Sequence, residues 1–319
     1  MRRREFIGLV GGAAAWPFYA RAQRNAVSQI GLLDPGVQDL FAAFVKSMRE
    51  LGYIEGQTVS YIRFSAEGRA ERLPQLASEL VARNPDVIVT AGPLPVRTVK
   101  ERTATIPIVF AALGDAVGTG VVSSLAHPGG NLTGLSFLNA DINEKRLELL
   151  RDMLPGLQRI AVLADAADPN RIIEPTEAAA RRLGLAVNFI RVKGPDEFET
   201  AFNSASEKQA QAIDFLAAPL FYSSRARLID LALRYKLPAI YETGEYVRDG
   251  GLVAYGPSYA DLFRRAASYV DRILHGTKPS DLPVEQPTKF ELTINLKTAK
   301  TIGLNIPESF LSRADSVVE

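Results

Sequence analysis

The chain has 319 residues, 47% apolar and 23% charged, with 37 Lys and Arg against 36 Asp and Glu for a net charge of +1. That balance supplies ordinary globular cores and gives no concentrated basic face, so no nucleic-acid partner is expected. Cysteine is absent and histidine occurs only as His127 and His275, which excludes disulfides, thiolate chemistry, a lipid-anchored cysteine and histidine- or cysteine-built metal sites.

The first segment reads as an export leader over residues 1–22. Arg2, Arg3 and Arg4 form a positive start, Ile7 to Tyr19 a diluted apolar run, and Ala20-Arg21-Ala22 a small-residue cleavage site before Gln23. Arg3-Arg4-Glu5-Phe6-Ile7 resembles a twin-arginine signature. The run is shorter than the roughly 20 apolar residues of a membrane anchor. A periplasmic protein delivered by export machinery is the expectation.

From Val27 onward, short β-rich runs alternate with helical patterns. "VSQIGLLD" (27–34) is a strand, and "DLFAAFVKSMRELGY" (39–53) a helix with Leu40, Phe41, Phe44, Val45, Met48 and Leu51 on one face. "TVSYIRF", "DVIVTAG" and "IPIVFAA" are further strands, separated by the helices "ERLPQLASELVAR" and "PVRTVKERT". Strands apolar on both faces, joined by long crossovers, indicate a parallel sheet covered by helices. "RIAVLAD" (159–165) then restarts the pattern, which runs through "TEAAARRLG", "AVNFIRV", "DEFETAFNSA", "AIDFLAAP", "RARLIDLALRYK" and "LPAIYETG".

The two halves match in order. "DVIVTAGPL" (86–94) parallels "IDFLAAPLF" (213–221), "IPIVFAALGDAV" parallels "LPAIYETGEYV", and "GGNLTGLS" parallels "GGLVAYGPS". An internal duplication follows. It predicts an α/β protein of two Rossmann-like lobes, residues 27–136 plus 256–283 and residues 137–255 plus 284–319. The helices "INEKRLELLRDMLPG" and "YADLFRRAASYVDRILHG" follow the first two crossings between lobes. A third near 283–292 would complete a three-stranded hinge.

Ligands of parallel α/β sheets bind beyond the carboxyl ends of the strands. That rule selects Asp34, Gly92, Pro93, Gly114, Asp115 and Ser136 in the first lobe. In the second it selects Asp165, Phe221, Tyr222, Tyr241, Glu242 and Tyr255. The acids suit an ammonium group, the glycines a close backbone approach, and the aromatic rings an apolar side chain. Asp34 and Asp165 read equally well as helix caps, Asp115 as a turn residue, and the tyrosines as packing between lobes. "GDAVGTG" lacks both G-x-G-x-x-G and a P-loop lysine, so no nucleotide or other cofactor is expected.

The stretches "ELGYIEGQTVSYIRFSAEG", "TIPIVFAALGDAVGTGVVSSLAHPGGNLTG", "PLFYSSRARLIDLALRYKLPAIY" and "DLPVEQPTKFELTINLKTAKTIGLNIP" carry a resemblance over residues 27–319. The chain resembles the ABC transporter substrate-binding protein family, which includes tryptophan/tyrosine-type binding proteins. The resemblance implies a type I periplasmic-binding fold whose lobes close on a small solute, an amino acid or small carboxylate, and deliver it to an ABC permease. A monomer without catalytic residues is expected. The alternatives are a periplasmic ligand sensor and an exported enzyme working through the carboxylates of Asp115 and Asp165.

Overall fold

The structure, a computed structural model, describes residues 27–167 and 173–319. The expected leader and residues 168–170 of the loop after Asp165 lie outside them.

The first half runs β1 (Ser28–Asp34), α1 (Gln38–Glu50), β2 (Val59–Ser65), α2 (Leu73–Ala82), β3 (Val87–Thr90), α3 (Pro93–Lys100), β4 (Ile108–Gly114) and β5 (Leu132–Phe137). After α4 (Asn139–Met153), the second half repeats the alternation. It runs β6 (Arg159–Asp165), α5 (Ile173–Arg182), β7 (Ala186–Val192), α6 (Phe198–Glu207), β8 (Ala212–Phe215), α7 (Pro219–Ser223), α8 (Arg225–Arg234), β9 (Ala239–Tyr241), α9 (Gly244–Arg248) and β10 (Val253–Pro257). The chain ends with α10 (Tyr259–Leu274), β11 (Phe290–Asn295), α11 (Leu296–Ile302), α12 (Glu308–Leu311) and β12 (Ser316–Val318).

The first sheet is parallel throughout, in the order β2-β1-β3-β4-β5. The second repeats that order as β7-β6-β8-β9-β10 and adds β11 and β12. Identical winding of the two halves is what a duplicated unit produces. β3 and β4 are buried along their whole length, as strands covered on both faces must be. β11 runs antiparallel to β10, a pairing absent from the parallel-sheet expectation. The reason lies in the path: the chain leaves β10 at its carboxyl end, passes through α10, and re-enters the second sheet from that same side.

The helix after each fifth strand packs on the opposite lobe. α10 lies on α1 and β4, while α4 lies on α5 and β10. α10 has the means to do so: Leu262, Phe263, Ala266, Val270 and Ile273 form a buried stripe, and Ser258 caps its start by accepting the Asp261 N–H at 3.3 Å. The third connection first joins the first sheet. Glu285 exchanges backbone hydrogen bonds with Gly134 and Ser136, at 3.1 and 2.9 Å, and Thr133 donates to the Leu282 carbonyl at 2.7 Å. It then continues into β11 of the second sheet. Three strands of chain therefore join the lobes, and the carboxyl edges of both sheets face each other.

Candidate functional site

Loops from those facing edges line a cleft cavity of about 50 Å³, small beside the usual range for small-molecule sites. The first lobe supplies Pro35 and Val37 from the β1–α1 turn, Leu40 on α1, Ala91 to Pro93 after β3, Ala112 and Gly114 on β4, Phe137 at the end of β5, and Tyr259 and Phe263 from α10. The second lobe supplies Ala217 to Pro219 after β8, Tyr222 on α7 and Glu242 after β9. The wall is mostly apolar, with four aromatic rings. Phe137 lies 5.7 Å from Tyr259, and Tyr222 lies 6.3 Å from Tyr259.

Glu242 is 4% exposed and opens onto this cavity. Its Oε2 accepts the Tyr259 hydroxyl at 3.0 Å. Burial, which disfavours the charged form, pushes its carboxyl up to about 8, although nearby Arg146 and the Tyr259 hydrogen bond pull the other way. Arg146 cannot neutralise Glu242 outright, because it is already committed. Its Nε stands 3.2 Å from Asp214 Oδ1 with both side chains fully buried, and its Nη2 donates to Asn143 at 2.5 Å. The neighbouring Glu245 pairs with Arg248 at 2.9 Å. Behind the cavity, then, one buried cation serves two acids.

The rim of the cavity joins the lobes directly. Tyr222 donates to Asp39 on α1 at 2.9 Å, and Arg225 reaches both Asp39, at 3.0 Å, and Asp249, at 2.6 Å. The Arg225 guanidinium also lies 4.5 Å from the centre of the Tyr222 ring. Gly68 (φ +77°) and Gly92 (φ +85°) meet the other lobe across this seam. A Cβ on Gly68 would stand 2.5 Å from Ser223 Oγ, and one on Gly92 would stand 3.1 Å from Pro219 Cγ. These contacts hold the two lobes against each other across the seam.

Of the residues selected from sequence, Gly92, Pro93, Gly114, Tyr222 and Glu242 line the cavity. The other seven lie off it. Asp34 accepts the Gly36 and Val37 N–H groups at 2.7 and 2.6 Å, in the turn that launches α1. Asp165 accepts from Ala167 N–H at 2.8 Å and borders a smaller pocket with Gly68 and Leu220. Asp115, at φ +46°, accepts from Gly118 N–H at 2.8 Å, and Ser136 Oγ accepts from Ala116 N–H at 3.0 Å. Asp34, Asp115 and Asp165 serve their own turns, Ser136 on β5 holds the loop after β4, and Asp115 and Asp165 do not meet on the cavity wall. Phe221 and Tyr241 are wholly buried in the second lobe. Tyr241 is stacked between Phe215, at 5.1 Å, and Tyr246, at 4.6 Å. Tyr255 faces a separate cavity of about 270 Å³ beside the connections, stacked on Phe290.

The family model described as ABC transporter substrate binding protein matches residues 26–318. The chain belongs to that family. A tyrosine-binding protein of Clostridioides difficile is 26% identical over 290 residues, 89% of this chain and 82% of the relative. A solved conserved domain protein from Vibrio cholerae superposes with a TM-score of 0.84 at 28% identity, covering 91% of this chain and 99% of the other. The ABC domain in complex with L-Trp from Streptococcus pneumoniae superposes at 0.83 with 26% identity, again covering 91% and 99%. A leucine-binding protein of Thermotoga maritima, 12% identical with a TM-score of 0.58 over 77% of this chain and 83% of its own, shares the fold alone. The fold is thus the type I periplasmic-binding architecture. Proteins of this family bind substrates for ABC transporters, and that role is not an enzymatic one.

In this substrate-binding protein the sequence reasoning passed over Tyr259, Arg146 and Asp214. Two of them carried a signal. Arg146 interrupts the apolar stripe Ile142, Leu149, Leu150 and Met153 of α4, and Asp214 sits inside the apolar strand "AIDF". A charge on a core-facing position is expensive unless paired, so each marked a buried partner. Tyr259 carried none, being an aromatic residue at a helix start like many others.

Proposed function

We propose that this chain is the periplasmic solute-binding component of an ABC importer. It captures a small solute with an apolar or aromatic body between its lobes and presents the closed form to a membrane permease. The carrying observation is that two repeated lobes turn their carboxyl edges onto one interlobe cavity, lined by four aromatic rings and a single buried acid. The tyrosine-binding relative and the L-Trp complex support a solute of aromatic amino-acid size. Residues 27–136 with 256–283 and residues 137–255 with 284–319 are the moving bodies in this reading, and the three connections are the hinge. Export through the Arg3-Arg4 leader places the protein where a permease meets it.

The test is a thermal-shift screen against amino acids, aromatic acids and amines, with the hits repeated by small-angle scattering. A true solute stabilises by RT ln(1 + [L]/Kd), about 2.7 kcal/mol at a hundredfold excess over Kd, and shrinks the radius of gyration. No shift across the panel, or binding without any change of shape, would overturn capture by closure.

A further inference from the structure

Beside the connections lies the cavity that Tyr255 faces, about 270 Å³ against about 50 Å³ between the lobes. We propose that it is a second small-molecule site, for a neutral aromatic compound carrying one N–H or O–H donor.

Every connection between the lobes contributes to its wall. Phe137, Leu138 and Asp141 come from the first, which runs from the end of β5 into α4. Tyr255 stands on β10, which leads into the second, and Gln286 and Phe290 belong to the third. The volume approaches the lower end of the usual range for small-molecule sites, about 300 Å³. The Tyr255 and Phe290 rings lie 6.2 Å apart and within 24° of parallel, and Phe137 adds a third ring. A flat ring packs against such a wall through the offset and edge-on contacts that aromatic groups prefer.

The polar groups set the charge of the occupant. Asp141 and Gln286 both offer acceptor oxygens, so an N–H or O–H on the compound finds a partner. Asp141 occupies the first turn of α4, where its charge answers the partial positive end of that helix. The wall therefore needs no counter-ion. The same carboxylate repels an anion that the free N–H groups of the helix start would otherwise attract. A neutral compound meets both conditions.

Phe137 lines this cavity and the one between the lobes. In the proposed capture of a solute, all three connections bend as the lobes part, so this wall changes shape with the opening. A rigid ring bound there favours the arrangement whose wall fits it, and shifts the opening equilibrium by its difference in affinity. The site stands without the solute reading, whereas this coupling rests on it.

Isothermal titration of the full chain would compare indole with 1-methylindole and 4-methylphenol with 4-methylanisole, pairs that differ by one donor. Indole-3-carboxylate serves as the anion. The donor of each pair should bind roughly fivefold tighter than its methylated partner, the worth of one hydrogen bond, with the anion weakest. Leu138 is 45% exposed, so Leu138→Trp fills the cavity without disturbing a core. It should weaken indole by roughly tenfold or more. Asp141→Ala combined with Gln286→Ala should erase the difference between indole and 1-methylindole, which a general loss of packing would not do. Small-angle scattering with and without indole reads the coupling as a change in radius of gyration. Silence of every compound, equal binding within each pair, or tightest binding by indole-3-carboxylate would overturn the site as described. Indole held undiminished by Leu138→Trp would lie elsewhere, overturning the proposal and leaving solute capture standing. Bound indole with an unchanged radius would remove the coupling.

Discussion

At the scale of single residues, the second lobe is governed by how few charges it buries and how they are shared. Glu242 has a pKa of about 8 when folded, against 4.5 for the unpaired side chain. Between those values the folded protein holds a proton that the unfolded chain releases, so Glu242 lowers stability as pH rises through about 8. The groups facing it are Arg146 from α4, Asp214 from β8, Glu245 from α9 and Tyr259 from α10. The tyrosine stays neutral throughout that range, because burial pushes it well above its ordinary value. Melting temperature followed from pH 5 to 9 should therefore fall more steeply in the wild type than in Glu242→Gln. Equal slopes in the two proteins would show that Glu242 is not the titrating group. Arg146 gives a second prediction. Replacing it with Met leaves Asp214 buried without its counter-charge, at a cost of about 3–5 kcal/mol. Arg146→Met combined with Asp214→Leu should recover much of that loss in urea melts, a coupling that independent sites would not show.

Between elements, the seam formed by α1, α7 and the loops of Gly68 and Gly92 sets how firmly the lobes shut. Tyr222 and Arg225 on the second lobe both converge on Asp39 of α1. Tyr222→Phe keeps the ring on the cavity wall and loses a hydrogen bond to a carboxylate, which such bonds value at about 1.5–3 kcal/mol. Solute dissociation should therefore quicken by roughly tenfold or more, with little change in association. Gly68 acts through space rather than attraction. With φ at +77° and the Ser223 hydroxyl 2.5 Å from where a Cβ would lie, Gly68→Ala strains the turn and props the seam open. Pairing it with Ser223→Gly relieves the contact but not the backbone strain, so the double variant should regain part of the lost affinity. No recovery would mean that the seam is not the site of closure.

Across the whole molecule, three connections join the lobes, and in the proposed capture of a solute they restrict the motion to opening and closing about one line. The third is pinned to the first sheet by the exchange of Glu285 with Gly134 and Ser136, and by Tyr269, which donates to the Pro283 carbonyl at 2.7 Å. Substituting Pro for Glu285 removes the N–H that reaches Gly134 and clears the side chain that pairs with Arg265. The radius of gyration of the solute-free protein should grow in that variant while the secondary structure is retained. An unchanged radius would show that the other two connections alone fix the lobes.

The sequence by itself determined the alternation of strands and helices, the repeat and the edge on which ligands gather. These follow from local periodicity and from apolar runs that have no stable place except between helices. "RIAVLAD" and "AVNFIRV" coincide with β6 and β7 residue for residue. Which loop residues face the cavity was decided only by tertiary packing. Asp34, Asp165 and Glu242 read alike as strand-end acids, yet the first two turn back to the N–H groups of their own turns while Glu242 lines the cavity between the lobes. Tyr222 and Tyr241 are equally aromatic, but the short helix α7 aims one at the cleft and a strand aims the other into the core. The direction of a side chain depends on what approaches from the opposite lobe, and local sequence does not record that approach.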